Sequence, residues 1–155
     1  MNAAERQRLI DQYRDGITEV DKALAGATPE ELDRRPGPDE WSAREVAHHL
    51  ADSETMSTIR LRRLIAEDDP LIQAYDEPEW ARRLYYDRPI EQSLAVFTAV
   101  RTSNLELLER FTEAEWARSG THSDDGPYSV ERWLQIYADH GHDHADQIRR
   151  AREGR

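Results

Sequence analysis

A chain of 155 residues lies in the size range of one domain and is long enough to bury a continuous core, so a single domain spanning residues 1–155 is expected. Thirty-two acidic residues against 21 basic ones leave a net charge of −11, which repels phosphate backbones and anionic lipid and argues against nucleic acid and membrane surfaces as partners. With no cysteine there is no disulfide, thiolate nucleophile or sulfur-bound zinc, and any metal must be held by imidazole nitrogen or carboxylate oxygen.

The segment from Met1 to Arg14 is charged and lacks the apolar run of a signal peptide. No other stretch approaches the roughly 20 apolar residues of a membrane span, so a cytoplasmic location is expected. A hydrophobic fraction of 37% requires the core residues to be concentrated on particular faces. In chain order, the first such face carries Leu9, Ile10, Tyr13, Ile17, Val20 and Leu24 at helical spacing. Thr28 with Glu31, between Ala27 and Leu32, has the form of a capping box. Ser42 with Glu45, stapled by Trp41 and Val46, opens a second long helix reaching about Ile65, with Val46, Leu50, Ser53, Ser57, Leu61 and Leu64 on one side. Glu67-Asp68-Asp69-Pro70 ends it.

Asp76 with Glu79, stapled by Tyr75 and Trp80, marks a further helix start. A third long helix runs from about Pro89 to Phe111, with Ile90, Leu94, Phe97, Leu108 and Phe111 aligned and Arg101 and Asn104 interrupting the stripe. Thr112 with Glu115 repeats the box between Phe111 and Trp116. Ser129, between Tyr128 and Trp133, opens the last long helix, with Arg132 where the acid would stand. Trp133, Ile136, Tyr137 and Ile148 align on it. No segment alternates with period two for long enough to make a strand. The expected fold is all-α, a four-helix bundle with short additional helical turns and its longest connection between helices two and three. The Thr28 and Ser42 signatures recur near Thr112 and Ser129, at offsets of 112 − 28 = 84 and 129 − 42 = 87. Two related halves would make helices two and four equivalent and set their histidines face to face.

Six histidines are present, and their helical phase separates them, at about 100° per residue. With Val46 as zero, Leu50 lies at about 40°, Ser53 at about 340°, His49 at about 300° and His48 at about 200°. With Trp133 as zero, Tyr137 lies at about 40°, His140 at about 340°, His144 at about 20° and His142 at about 180°. His140 and His144 are therefore in the middle of a buried stripe and His49 borders another, while His48, His142 and His122 are assigned to solvent or loop. Two imidazoles at i and i+4 can grip one ion, and a third from a facing helix completes a three-histidine site with open coordination positions. The bland alternative is a set of hydrogen-bonded core histidines. Gly141 stands where a zinc protease of the H-E-x-x-H type has its glutamate, so that chemistry is not expected. Arg101, turned inward, would answer a buried acid or else bind an anionic substrate group. Gln147, three residues after His144, could orient it.

The run Trp41-Ser42-Ala43-Arg44-Glu45-Val46-Ala47-His48-His49-Leu50-Ala51-Asp52, followed downstream by His140-x-x-x-His144-x-x-Gln147-Ile148, resembles the DinB-like or YfiT-like superfamily. Ala74-Tyr75-Asp76-Glu77-Pro78-Glu79-Trp80 and the Arg101 helix with Leu107-Leu108 are similar to its subgroup named as metal-dependent hydrolases. The resemblance covers nearly the whole chain. It implies a four-helix bundle in down-up-up-down order, a nickel or zinc ion held by His49, His140 and His144, and a homodimer. Family members include transferases of bacillithiol, mycothiol or glutathione and an isomerase of the maleylpyruvate type. The expected function is an enzyme whose metal activates water or a low-molecular-weight thiol against a small electrophilic substrate. The alternative is a non-catalytic dimeric module whose metal or bare histidines serve stability or ligand sensing.

Overall fold

The computed structural model describes residues Met1–Arg155. Four long helices, α1 (Ala3–Leu24), α3 (Ala43–Ala66), α5 (Glu91–Leu108) and α7 (Val130–Glu153), are joined by short helices α2 (Pro29–Asp33), α4 (Glu77–Arg83) and α6 (Glu113–Trp116). Strands β1 (Leu71–Ile72), β2 (Ser119–His122) and β3 (Gly126–Ser129) complete the chain. All five expected helix starts are present. Thr28, Ser42, Asp76, Thr112 and Ser129 each accept a hydrogen bond from the backbone amide three residues on, and Thr28, Ser42 and Thr112 form reciprocal boxes with their glutamates. Each cap satisfies an amide that the helix itself cannot, worth about 1 kcal/mol. The order long helix, short capped helix, long helix occurs twice, as α1–α2–α3 and α5–α6–α7.

Cross-helix contacts fix the directions. Met1 meets Glu131, Gln12 meets Asp139 and Glu19 meets Arg149, so α1 and α7 run parallel. His48 meets Ser93, Glu54 meets Arg101 and Thr58 meets Asn104, so α3 and α5 also run parallel. Ser53 meets His140 while Ser57 meets Trp133, which makes α3 antiparallel to α7. The bundle is therefore down-up-up-down, with α1 packed on α7 and α5, and α3 on the same two.

The apolar core forms two clusters. One holds Leu9, Tyr13, Leu61, Leu64, Leu105, Leu108, Trp133 and Tyr137; the other holds Val20, Val46, Leu50, Phe97, Ala145 and Ile148. Between them every long helix contributes small or polar residues: Gly16 from α1, Ser53, Glu54 and Ser57 from α3, Arg101 and Asn104 from α5, and His140, Gly141 and His144 from α7. This polar layer carries the candidate site.

The absence of strands expected from the sequence is corrected by a small sheet in the order β1-β2-β3, with β1 parallel to β2 and β2 antiparallel to β3. Strands of two to four residues are too short for alternation to register. The turn into β3 is nonetheless marked by Asp125-Gly126, with Gly126 at φ 77°. Trp116, 6% exposed, packs into the core.

Candidate metal centre

His49 projects from α3 toward His140 and His144, one turn apart on α7, and one ring nitrogen from each lies within 4.8 Å of the others. Ring centroids are separated by 4.7 Å (His49–His144), 5.5 Å (His49–His140) and 4.4 Å (His140–His144). The Nε2 atoms of His140 and His144 face each other at 3.1 Å, and Ser53 Oγ lies 3.3 Å from His140 Nε2. Gln147 Oε1 is 2.7 Å from His144 Nδ1. An amide oxygen only accepts, so Nδ1 carries the proton and Nε2 presents its lone pair to the cluster. The Nδ1 atoms of His49 and His140 are buried without a hydrogen-bond partner. The Trp41 ring packs 4.9 Å from that of His49, which is 2% exposed, while His140 and His144 are partly exposed.

Burial, reinforced by the neighbouring His144, pushes the His49 pKa down to about 3. Burial first, then the adjacent imidazoles, lowers His140 strongly, and burial lowers His144 against the opposing help of Gln147. All three are neutral at pH 7, the state in which imidazole binds metal. Converging neutral nitrogens with no thiolate and no carboxylate among them fit a borderline divalent ion.

Arg101 takes the structural alternative. It is 0% exposed; Nε donates to Glu54 at 2.9 Å, Nη1 to the Tyr13 carbonyl at 2.7 Å and Nη2 to the Tyr137 carbonyl at 2.9 Å. The same Glu54 accepts from the Tyr13 hydroxyl. Fully buried and paired with Glu54, the guanidinium is out of a substrate's reach, so that role is withdrawn. The guanidinium passes between Gly16 and Gly141, where a Cβ on Gly141 would lie 3.0 Å from Nη1 and 3.1 Å from the Gly16 Cα. Gly141 therefore has a packing reason, and a glutamate has no room there.

His48 corrects the solvent assignment. It is 0% exposed, with Nδ1 2.7 Å from Ser93 Oγ, Nε2 2.9 Å from the Arg88 carbonyl and its ring against Tyr86. A helical wheel phased on one apolar stripe missed that α3 buries a second side against α5 and the segment before it. His122 lies on β2 rather than in a loop, 7% exposed, with Nδ1 accepting from the amides of Asp124 and Asp125. His142 is half-buried, with Nε2 donating to the Gln12 carbonyl at 3.0 Å. Sequence reasoning missed Glu54, although its phase of about 80° from Val46 sets an acid beside the stripe. A surface cavity of about 480 Å³, lined by Met1, Arg8, Gln12 and Asp139 among others, contains none of the clustered histidines.

Comparison with known proteins supports this arrangement. The DinB superfamily profile matches residues 12–148. A relative from Oceanobacillus iheyensis, provisionally named a metal-dependent hydrolase, is 38% identical over 144 residues, covering 90% of this chain and 84% of its own. Another from Halalkalibacterium halodurans, named in the same way, is 30% identical over 111 residues, 72% of this chain and 65% of its own. The structure of YfiT from Bacillus subtilis, described as a probable metal-dependent hydrolase with an unusual four-helix bundle topology, superposes with a TM-score of 0.90 at 27% identity, covering 96% of this chain and 86% of that one. In sequence and in helix order alike, this chain belongs to the DinB superfamily.

Proposed function

We propose that the protein is a metal-dependent enzyme in which His49, His140 and His144 hold one nickel or zinc ion. Its substrate is a small electrophile, attacked by water or by a low-molecular-weight thiol, and the working unit is a homodimer. The observation that carries this reading is the convergence of three neutral imidazoles from two antiparallel helices within 4.8 Å, in a layer where the buried charges of Arg101 and Glu54 pair with each other. The names of the relatives favour hydrolysis.

A divalent ion with open positions supplies Lewis acidity and draws the pKa of a bound nucleophile toward neutrality. The chain's own residues prepare the site. Gln147 holds the Nδ1 proton of His144 and so fixes its tautomer and ring plane. Trp41 shields His49 from bulk water, and Ser53 offers a hydroxyl beside His140. The partial exposure of His140 and His144 favours an enzyme over a sealed structural metal, because a reactant must reach the site.

The test is to strip the protein with a chelator and reload it separately with nickel and zinc. Each form is assayed on a generic ester, and on a thiol-reactive electrophile with small thiols added. Turnover that requires metal and disappears in a folded His140→Ala variant is expected. Metal binding without turnover in any assay, with unfolding on metal removal, would favour the non-catalytic module.

A further inference from the structure

Beside the three histidines the protein buries polar groups with no partner at full hydrogen-bond distance. Arg60 lies on α3 about two turns beyond Ser53. Its Nη1 donates to the Tyr137 hydroxyl at 3.0 Å and its Nη2 to the Gln73 carbonyl at 3.2 Å, but Nε is buried and unpartnered, and no carboxylate forms an ion pair with it. The Tyr75 ring covers the guanidinium at 5.8 Å, and the Tyr75 hydroxyl is likewise buried with no partner at full hydrogen-bond distance, Ser53 and Glu77 being polar neighbours. Tyr128, 3% exposed, has a hydroxyl with no partner at full hydrogen-bond distance too, and Arg60 is its polar neighbour. The Arg60 charge offsets part of the rise that burial imposes on the Tyr128 and Tyr137 hydroxyls, which places all of them in one electrostatic neighbourhood.

This group adjoins the histidines by two routes. The Tyr137 ring stands 5.8 Å from that of His140, and Ser53 touches His140 Nε2 while also biasing the Tyr75 hydroxyl. Holding the segment after β1 through Gln73 and Tyr75 accounts for one face of Arg60 but leaves Nε and both tyrosine hydroxyls without a partner at full hydrogen-bond distance. Under-satisfied donors around an unpaired cation call for an anion.

We propose that Arg60, Tyr75 and Tyr128 form an anion-binding subsite beside the histidine cluster, which takes the carboxylate of a small substrate. The proposal deepens the functional reading above and rests on it only for the reacting end of that substrate. A planar guanidinium with neutral hydroxyls around it suits a monoanionic, planar carboxylate. A phosphate dianion fits less well: Glu77, exposed nearby, already feels the Arg60 charge, and the chain carries a net charge of −11.

The experiment titrates benzoate and acetate into the full chain by calorimetry, with benzamide and inorganic phosphate as controls, and measures bound metal in parallel by elemental analysis. Saturable carboxylate binding is expected, absent for benzamide and weaker for phosphate. Arg60→Gln should weaken it about tenfold or more and Tyr128→Phe by several-fold, the usual effect of removing a hydrogen bond to a charged group. No saturable binding to the wild type, unchanged binding in the variants, or phosphate binding as tightly would overturn the proposal. If Arg60→Gln does not fold, Arg60→Lys and Tyr128→Phe decide it by the same criterion. A chain that binds benzoate but no metal keeps the subsite and loses the metal reading, whereas one that binds metal but no carboxylate loses the subsite alone.

Discussion

Replacing Glu54 by Gln leaves the Arg101 guanidinium in the middle of the bundle without its counter-charge. Both side chains are 0% exposed, so water cannot compensate. Breaking a buried pair by removing one partner costs about 3 to 5 kcal/mol. Arg101 keeps its bonds to the Tyr13 and Tyr137 carbonyls and its stacking on the Tyr13 and Phe97 rings at 4.2 and 4.7 Å, which points to the lower end, about 3 kcal/mol. For a chain of this size that is a fall in Tm of about 6 to 12 °C. Urea and thermal unfolding followed by circular dichroism measure it. The double variant Glu54→Gln/Arg101→Met should lose less than the sum of the single losses, because neither charge is then stranded. A single-variant loss below about 1 kcal/mol, or strict additivity, would refute the idea that this pair organises the polar layer.

Gly141→Ala should destabilise by about 1 to 3 kcal/mol through the contacts its Cβ makes with Arg101 and Gly16, and a neutral or stabilising effect in urea unfolding would contradict that packing. In the unfolded chain imidazoles take up protons near pH 6.5, whereas in the metal-free fold His49 holds out to about 3. Unfolding therefore binds protons between those values, and stability should fall as pH drops through that window, by about 1.4 kcal/mol per pH unit for each such imidazole. A flat profile in unfolding experiments from pH 7 to 4 would count against neutral buried histidines. Light scattering should give twice the 18.0 kDa chain mass; a mass of only one chain would reject the homodimer.

The long helices α3 and α7 were legible because each announces itself twice, by a capping residue at its start and by an apolar stripe along its length, whereas α1 and α5 were read from the stripe alone. Only α5 lacks a side-chain cap, and its start at Glu91 falls two residues from the expected Pro89. His140 and His144 were legible for the same reason, since helical phase is reliable within one uninterrupted helix such as α7. His48 was misassigned because phase measured from one stripe does not show how many neighbours a helix has. Arg60 lies at about 320° from Val46, on the inward side of its helix, yet arginine's length lets it turn outward, so phase alone does not declare its partners. The strands are short and β1 pairs with a segment some fifty residues on (Leu71 with Thr121); such pairing is written in tertiary contacts rather than in local pattern.

The central claim is that His49, His140 and His144 together hold one divalent ion. Elemental analysis of the wild-type chain and of His49→Ala, His140→Ala and His144→Ala, each reloaded with nickel or zinc and dialysed, tests it most directly. The account predicts one ion per wild-type chain and an affinity loss in each variant larger than the roughly 10- to 100-fold typical of residues that only orient a ligand. Circular dichroism should show each variant still helical. A folded wild-type chain that retains no metal, or a histidine variant that retains it as tightly as the wild type, would contradict the account.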